Sequence, residues 1–253
     1  MTRVAVPYHL DEYLPDLDLP VDVDTRVTAQ LPDGDPWGRM VCLYDQVAVT
    51  VAGIVRRGGR PTVLSGDCTT SLGVVAGLQL AGLDPAIVWF DGHGDVQTLE
   101  TTTSGYLGGM PLRMLVGYRP ELMARPLGLR PVAERRVALV DARDLDPPER
   151  EYLARSEIRR LPVGDVSADT LPDGPIYLHL DTDVIDPADL PGLRFPAPGG
   201  PGLAAVAAAL HRVGDTGRVA ALGLACTWWA GHGAAAVVRP HVEDFLNRWS
   251  DAV

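Results

Sequence analysis

The sequence predicts one α/β domain over residues 1–253, with a mostly parallel central sheet between two layers of helices. Three observations carry this prediction. Short apolar segments alternate along the chain with helix-like segments, which is typical of parallel sheets. These short segments are apolar on both faces, as strands are when helices cover both sides of a sheet. The length of 253 residues and the apolar share of 46% are enough for one large core.

Seven segments are predicted to be strands because they are short, apolar and rich in residues that favour an extended backbone. They are residues 4–7, 62–64, 86–90, 136–140, 158–162, 176–180 and 219–225. Five longer segments are predicted to be helices because their apolar residues recur at helical spacing. They are residues 45–57, 71–81, 147–155, 203–213 and 234–249. Two stretches rich in Pro and Gly, 14–38 and 186–202, are predicted to be ordered loops.

The charge and composition exclude several classes of partner. A net charge of −11 disfavours binding to nucleic acid or to an anionic membrane surface, and it suits a small cationic substrate. No apolar stretch reaches the ~18 residues that span a bilayer. The N-terminal apolar run is too short for a secretory signal, and three cysteines do not form a disulfide framework. The sequence therefore predicts a cytoplasmic protein that contacts neither nucleic acid nor membrane.

Two of the predicted strands end in clusters of acidic residues. Asp91, His93 and Asp95 follow the first, and Asp181 and Asp183 follow the second. Side chains two residues apart in an extended chain leave the same face, so the clusters converge if the strands are neighbours. Four carboxylates on one small surface repel one another unless cations lie between them. Oxygen ligands with an imidazole suit Mn, Fe, Co or Zn, so the pattern predicts a two-metal hydrolytic site.

These motifs resemble those of the ureohydrolase family, which contains the arginases and agmatinases. Residues 88–95 are similar to its first signature, and the spacing of Pro and Gly over 181–200 is similar to its second. Residues 140–147 resemble the family's Arg-Asp-x-Asp-Pro segment, and residues 102–111 resemble its substrate loop. The matches extend from about residue 62 to 226. The resemblance implies an arginase-like three-layer α/β/α fold and a homo-oligomer.

The resemblance also implies two bound divalent ions, with Mn²⁺ as the first expectation. The six positions that match the family's metal ligands are Cys68, Asp91, His93, Asp95, Asp181 and Asp183. Cys68 stands where a His is usual, and a thiolate shifts the preference toward Fe, Zn or Co. A Cys at this position also occurs in the branch that hydrolyses N-hydroxyarginine. The alternative is that Cys68 is a small buried residue in a site that has lost or weakened one metal.

The implied reaction is attack on the trigonal carbon of a linear amidine by a hydroxide that bridges the two ions. Asp183 and Asp95 are the residues expected to act in catalysis, with Asp183 at the bridge. Two other positions depart from the arginases. The loop His that can pass protons to the leaving amine is replaced by Gly108, and the late Glu that pairs with the guanidinium is replaced by Cys226. Ordinary arginase activity is therefore disfavoured, and an N-hydroxyguanidine or another amidine is favoured.

Other substrate contacts of the family have matches in this chain. Gln97 and Ser104 occupy the positions that hold an amino-acid carboxylate, Asp146 occupies the position that binds the α-amino group, and Cys226 is at the position that faces the guanidinium. Together they favour an α-amino acid substrate. Turn chemistry in a polar loop also accounts for Gln97 and Ser104, and a helix N-cap before residues 147–149 also accounts for Asp146.

Three hypotheses of function remain from the sequence. The leading one is a metal-dependent hydrolase of C–N bonds in a small guanidino or N-hydroxyguanidino compound. The second is a non-catalytic member of the fold that binds a metal or ligand, because two functional groups of the family are missing. The third is a deacetylase-like hydrolase, for which no His pair at a suitable spacing is visible. His179 shares a predicted strand face with Asp181 and Asp183, and we expect it to pack behind the metal ligands.

Overall fold

An eight-stranded sheet forms the centre of the computed structural model, which describes residues 1–251. Numbered along the chain, the strands of the protein are β1 Thr2–Val6, β2 Tyr8–His9, β3 Glu12–Tyr13, β4 Thr25–Arg26, β5 Pro61–Ser65, β6 Ala86–Asp91, β7 Val137–Asp141, β8 Arg159–Leu161, β9 Ile176–Asp181 and β10 Val219–Ala225. The order across the sheet is β4-β1-β5-β10-β9-β6-β7-β8, and every neighbouring pair in it is parallel. Strands β2 and β3 form a separate antiparallel hairpin.

Six α-helices cover the sheet. They are α1 Pro36–Arg56, α2 Ser71–Leu80, α3 Pro111–Leu115, α4 Pro147–Arg155, α5 Leu203–Gly214 and α6 Ala234–Asp251. Helices α1 and α2 pack against each other, and so do α5 and α6.

The alternation of side chains along β6 shows that helices cover both faces of the sheet. Ile87 and Trp89 belong to the apolar cluster that contains α1 and α2, whereas Val88 and Phe90 belong to the cluster that contains α5 and α6. Neighbouring residues of a strand point to opposite faces, so the sheet separates two cores. The predicted three-layer α/β/α fold with a parallel sheet is confirmed.

All seven predicted strands are present, each within two residues of its predicted ends. The prediction missed β2, β3 and β4, which are two residues long, and the five-residue helix α3. Helix α6 continues through Pro240, and the segment 186–202 contains neither helix nor strand, as predicted. Very short elements carry no periodic signal, which is why the sequence did not reveal them.

Helix α1 begins at residue 36, whereas apolar spacing predicted a start at residue 45. Its N-cap is Asp35, whose carboxylate accepts a hydrogen bond from the Gly38 N–H at 3.1 Å, and Pro36 occupies the first helical position. The prediction of a loop over 14–38 is therefore wrong at 36–38, and also at β4. Capping chemistry decides this helix start, and the apolar pattern does not register it.

Within residues 1–251, α1 is the one helix that is long and apolar enough to cross a membrane by length and composition. Arg39 and Asp45 interrupt the apolar residues of α1, which explains why the sequence analysis found no apolar stretch long enough to span a bilayer. In the fold, 44% of the apolar window is buried, and Leu43, Val47 and Val51 are fully enclosed. Core helices of globular proteins pass the same length and composition test, so this result is weak evidence for a membrane span.

We predict opposite effects for two Gly→Ala substitutions at the α1–α2 pair. A Cβ at Gly77 would lie 2.6 Å from the Ala48 backbone oxygen and 2.7 Å from Val51 Cβ, so Gly77→Ala should destabilise the protein by about 1–3 kcal/mol. A Cβ at Gly53 would meet only the end of Arg57 at 3.4 Å, so Gly53→Ala should stabilise it by about 0.5–1 kcal/mol. Urea denaturation measures both free energies, and equal effects would contradict the close helix contact.

Candidate metal centre and its cavity

Five of the six predicted metal ligands converge at the carboxyl edge of the sheet, and the sixth, Asp95, lines the cavity beside them without joining either group of ligand atoms. Strands β6 and β9 are neighbours there, and the segment after β5 lies two strands further along the same edge. Two groups have ligand atoms within 4.8 Å of one another: Cys68 with Asp91 and Asp181, and Asp91 with His93 and Asp183. The groups share Asp91, and together they could hold divalent ions.

Tight turns after β6 and β9 bring these side chains together. Asp91 accepts a hydrogen bond from the His93 N–H at 2.7 Å, and Asp181 accepts one from the Asp183 N–H at 2.9 Å. The Gly92 N–H donates to Asp183 at 3.0 Å, which joins the two motifs. The predicted convergence is therefore present. Its predicted cause, an extended chain, is wrong after the strands end, because residues 182–184 form a 3₁₀ turn.

Asp95 provides a test of whether cations fit this centre. Its backbone has a φ of 52°, in the left-handed region that costs energy for a residue with a side chain. The side chain is buried, and its Oδ2 atom has no hydrogen-bond partner among the described residues. Burial, followed by the charges of Asp91 and Asp181, raises the pKa of Asp95 well above its ordinary range. A buried and unpaired carboxylate oxygen beside other carboxylates fits a centre that holds divalent ions.

The remaining ligand groups show the same electrostatic tension. Burial, followed by neighbouring carboxylates, raises the pKa of Cys68 and of Asp181 well above their ordinary ranges. Burial and the charge of Asp91 raise the pKa of Asp183 to about 6. Burial would lower the pKa of His93, but hydrogen bonds to Asp183 and Asp91 outweigh it and raise the pKa to about 12. Without cations, protons take over part of the charge compensation.

His179 contacts Cys68 from behind, as predicted. Its Nε2 atom lies 3.2 Å from Cys68 Sγ, its ring stacks on Trp89 with centroids 3.7 Å apart, and Ser71 Oγ lies 3.1 Å from its Nδ1. Burial lowers the pKa of His179 to about 3, so the imidazole is neutral. His179 is absent from both groups of ligand atoms, so it supports Cys68 and does not join the centre.

Arg143 holds the loops that carry the centre. Its guanidinium donates to the backbone oxygens of Asp183, Val184 and Ala197 at 3.1, 3.0 and 3.1 Å, and it also pairs with Asp141. These bonds tie the end of β7 to the turn after β9 and to the loop 186–202. The segment 140–147 therefore stabilises the ligand loops from outside the centre.

A cavity of about 160 Å³ opens above the centre. The predicted site residues that line it are Cys68, His93, Asp95, Gln97, Ser104, Asp146, Asp181 and Asp183. Asp91 is buried and is not part of the lining. Phe195 from the loop 186–202 forms part of the wall, so that loop borders the site as the sequence suggested.

The structure does not bring Cys226 to the cavity, and the predicted substrate contact of this residue is corrected. Its N–H donates to the Ser65 carbonyl at 2.7 Å and prolongs the pairing of β10 with β5. Its side chain is fully buried in the apolar cluster that contains α5 and α6. Thr227 follows it on the cavity side, and the Thr227 hydroxyl donates to Asp181 at 2.5 Å.

The predicted substrate-binding residues also make contacts within the protein. Gln97 Nε2 donates to Asp146 at 2.6 Å, so these two side chains form one polar unit at the cavity wall. Asp146 is also the N-cap residue of α4, and its N–H donates to the Glu149 carboxylate at 3.1 Å. Ser104 accepts a hydrogen bond from the Tyr106 N–H at 3.2 Å, which is turn chemistry. Both interpretations of these residues therefore find support.

Sequence reasoning did not assign several residues of the cavity wall, among them Tyr106, Glu149, Phe195 and Thr227. The first three lie inside segments that the sequence analysis had singled out, and Thr227 follows one, but none carries a spacing signal of its own. Glu149 is buried and accepts hydrogen bonds from two backbone N–H groups, one of them from Val96 at 3.2 Å. Only the fold shows that these side chains face the same space.

The fold and the site define a protein of the parallel α/β class with a candidate metal site at the carboxyl edge of its sheet. The model of the Arginase family matches residues 8–226, so the chain belongs to the arginase family, and the resemblance seen in the sequence is confirmed. The chain is 35% identical over 170 residues to the arginase of Bacillus subtilis, which covers 62% of this chain and 57% of the relative. It is 36% identical over 140 residues to the N(omega)-hydroxy-L-arginine amidinohydrolase of Streptomyces lavendulae, which covers 53% of this chain and 50% of the relative.

Among solved structures, the arginase of Bacillus subtilis superposes with a TM-score of 0.81 at 22% identity and 98% coverage of both chains. The arginase of Bacillus caldovelox gives a TM-score of 0.79 at 23% identity, with 97% of this chain and 98% of that chain covered. These superpositions establish the fold. The sequence alignments span only about half the length of these relatives.

We predict that Mn²⁺ binding releases protons and becomes tighter as pH rises. His93, with a pKa of about 12, holds its proton at neutral pH in the metal-free protein, and that proton must leave before the imidazole binds an ion. Each released proton should raise the apparent affinity about tenfold per pH unit. Calorimetric Mn²⁺ titrations at pH 6.5 and 7.5, in buffers of different ionisation enthalpy, count the protons. An affinity independent of pH would contradict the assignment.

We predict that Cys68→Ala lowers the number of bound divalent ions from two to one, because the mutation removes one group of the Cys68, Asp91 and Asp181 cluster. Metal analysis after Mn²⁺ or Co²⁺ loading measures the stoichiometry, and loss of thiolate-to-cobalt charge-transfer absorption reports the bond itself. Cys42→Ala on α1 is the matched control and should leave both readouts unchanged. Two ions retained in Cys68→Ala would support the interpretation of Cys68 as a small buried residue.

Proposed function

We propose that this protein is a metal-dependent hydrolase of a C–N bond in a linear amidine, and that its substrate is a small guanidino or N-hydroxyguanidino amino acid. The observation that carries the proposal is the set of acidic ligand groups beneath a cavity of about 160 Å³. A cavity of this size admits a small molecule. Membership of the arginase family supports the same class of reaction.

The residues Cys68, Asp91, His93, Asp95, Asp181 and Asp183 would hold two divalent ions, Mn²⁺ first, with Fe, Co or Zn favoured by the thiolate. When bound, the ions supply Lewis acidity and a water that ionises near neutral pH. The protein contributes the orientation of the ligands through the turns after β6 and β9.

Asp95 is expected to act at the reacting end of the cavity. Its side chain lines the cavity, and its Oδ2 atom has no hydrogen-bond partner among the described residues. As a proposed ligand, this carboxylate would help to hold the ions that activate the water. Asp183 is held by the Gly92 N–H and by His93 Nδ1, each at 3.0 Å, and lies between the two motifs.

The other end of the cavity would bind the remainder of the substrate. The joined side chains of Gln97 and Asp146, with Ser104 beside them, offer both donors and acceptors. These groups suit the carboxylate and amino group of an amino acid. Cys226 stands where the arginases have a Glu, and its side chain is enclosed in the core. A cationic guanidinium would therefore be bound more weakly at this position than by a Glu carboxylate.

We predict that the protein, loaded separately with Mn²⁺, Co²⁺, Fe²⁺ and Zn²⁺, hydrolyses at least one of arginine, N-hydroxyarginine, agmatine, guanidinobutyrate and formiminoglutamate. The products to measure are urea, hydroxyurea and formamide. Asp183→Asn and Asp95→Asn should each lower kcat about 10²–10⁴-fold, because each removes a group placed at the reacting end.

The matched control is Asp169→Asn, an exposed loop carboxylate, which should keep the activity of the unmodified protein. Absence of turnover with every metal and every substrate would contradict the proposal.

A second candidate is a non-catalytic protein that binds a metal or a small ligand. The observation that favours it is the absence of a side chain at Gly108 together with the enclosure of Cys226 in the core. It predicts thermal stabilisation by an amidine without any product. The same panel of compounds, followed by thermal unfolding and by product analysis, separates the two candidates.

A further inference from the structure

Three aromatic rings from separate parts of the chain form a wall beside the metal centre. His9 lies on β2, Tyr106 lies in the loop 102–111, and Phe195 lies in the loop 186–202. The rings of His9 and Tyr106 are nearly parallel, with centroids 5.7 Å apart. The ring centroids of Tyr106 and Phe195 are 5.0 Å apart. Tyr106 and Phe195 line the cavity. This aromatic wall was not visible in the sequence.

The hydrogen bonds of His9 determine how the Tyr106 hydroxyl is used. His9 Nδ1 lies 3.2 Å from the Gly66 carbonyl oxygen, which can only accept, so Nδ1 carries the hydrogen. In the neutral imidazole Nε2 is then an acceptor, and it lies 3.0 Å from the Tyr106 oxygen. Tyr106 therefore donates its hydrogen to His9. The lone pairs of the phenolic oxygen remain available as an uncharged acceptor.

This acceptor stands at the acidic end of the cavity. Tyr106 lines the cavity together with Cys68, Asp95 and Asp181. A phenol is uncharged at neutral pH because its ordinary pKa is about 10. The rest of the centre consists mainly of groups that carry charge when they are deprotonated. An uncharged oxygen there gives little Coulombic preference to a guanidinium, and it binds an O–H donor well.

Gly108 is what allows Tyr106 to occupy this position. A Cβ at residue 108 would lie 2.2 Å from Tyr106 Cζ and 2.3 Å from its oxygen, so any side chain there would displace the ring. The absence of a side chain at 108 and the placement of the Tyr106 hydroxyl are thus one structural feature. A position that looked like the loss of a functional group makes room for a different one.

We propose that Tyr106, oriented by His9, is a specificity-determining residue whose phenolic oxygen accepts a hydrogen bond from the hydroxyl of an N-hydroxyguanidine substrate. This inference rests on the proposed function and names the substrate class within it. Tyr106 contacts the substrate, whereas His9 is a positioning residue that acts through Tyr106. Phe195 packs beside both rings, with its centroid 5.0 Å from that of Tyr106 and 6.2 Å from that of His9.

The test compares a guanidine and its N-hydroxy derivative of the same carbon skeleton, arginine and N-hydroxyarginine, on the Mn²⁺-loaded protein. Tyr106→Phe keeps the ring and removes the oxygen, so kcat/KM for the N-hydroxy compound should fall about 10- to 100-fold. The value for the guanidine should change by less than about 3-fold, because no bond to a hydroxyl is lost. Equal changes for both compounds would overturn the role of Tyr106.

Two further variants keep the test decisive if Tyr106→Phe folds poorly. Gly108→Ala should lose the same selectivity while the hydroxyl stays in the protein, because its Cβ displaces the ring. His9→Gln, whose amide oxygen can accept from Tyr106, should retain part of the selectivity that His9→Phe loses. Full selectivity in Gly108→Ala, or equal selectivity in both His9 variants, would count against the proposal.

Tyr13→Phe on β3 is the matched control, because Tyr13 belongs to the same hairpin as His9 and is not part of the cavity lining. Its kinetics, metal content and thermal unfolding should equal those of the unmodified protein. Calorimetric titration with hydroxyguanidine adds a readout without turnover, and Tyr106→Phe should bind it about 10-fold more weakly. An unmodified protein that hydrolyses neither compound overturns this inference, and it overturns the proposed function as well only if the whole panel of metals and substrates gives no turnover. Turnover with unchanged selectivity in Tyr106→Phe overturns this inference alone.

Discussion

The repulsion among buried carboxylates at the carboxyl edge of β6 and β9 is the constraint on which the site depends. Asp91, Asp95, Asp181 and Asp183 are all nearly inaccessible to solvent, and together they cannot remain ionised without positive charge between them. Protons shared with His93 supply part of that charge in the metal-free protein. Divalent ions would supply more of this positive charge, so their binding would reduce the repulsion among the carboxylates.

The repelling carboxylates stay close together because the surrounding fold holds them rigidly. Trp89 Nε1 donates to Asp91 at 2.9 Å, and the hydroxyl of Thr227 donates to Asp181. Arg143 fastens the turn after β9 from outside. These contacts come from three different parts of the chain, β6 and the segments after β7 and β10, so the orientation of the ligands depends on the packing of the whole carboxyl edge.

Two parts of the cavity lining have different chemistry, and this difference bears on selectivity within the arginase family. The part near the candidate metal ligands is acidic, whereas Tyr106 and Phe195, which pack against His9, form an aromatic wall. The chain is similar at 35–36% identity both to an arginase and to an N(omega)-hydroxy-L-arginine amidinohydrolase, so overall similarity does not separate the two substrates. The uncharged Tyr106 oxygen would distinguish the two substrates, because it accepts a hydrogen bond from a hydroxyl and attracts a cationic guanidinium only weakly.

The sequence by itself determined the order of seven strands and five helices and the acidic groups after β6 and β9, because apolar periodicity and local spacing are properties of short segments. Only the tertiary structure decided which side chains share the cavity. Cys226 turned into the core although its position suggested a substrate contact, and Tyr106 reached the site through the space above Gly108. The pairing of His9 with Tyr106 joins residues 97 positions apart. No local pattern encodes such a contact, because it follows from the packing of distant segments around one sheet.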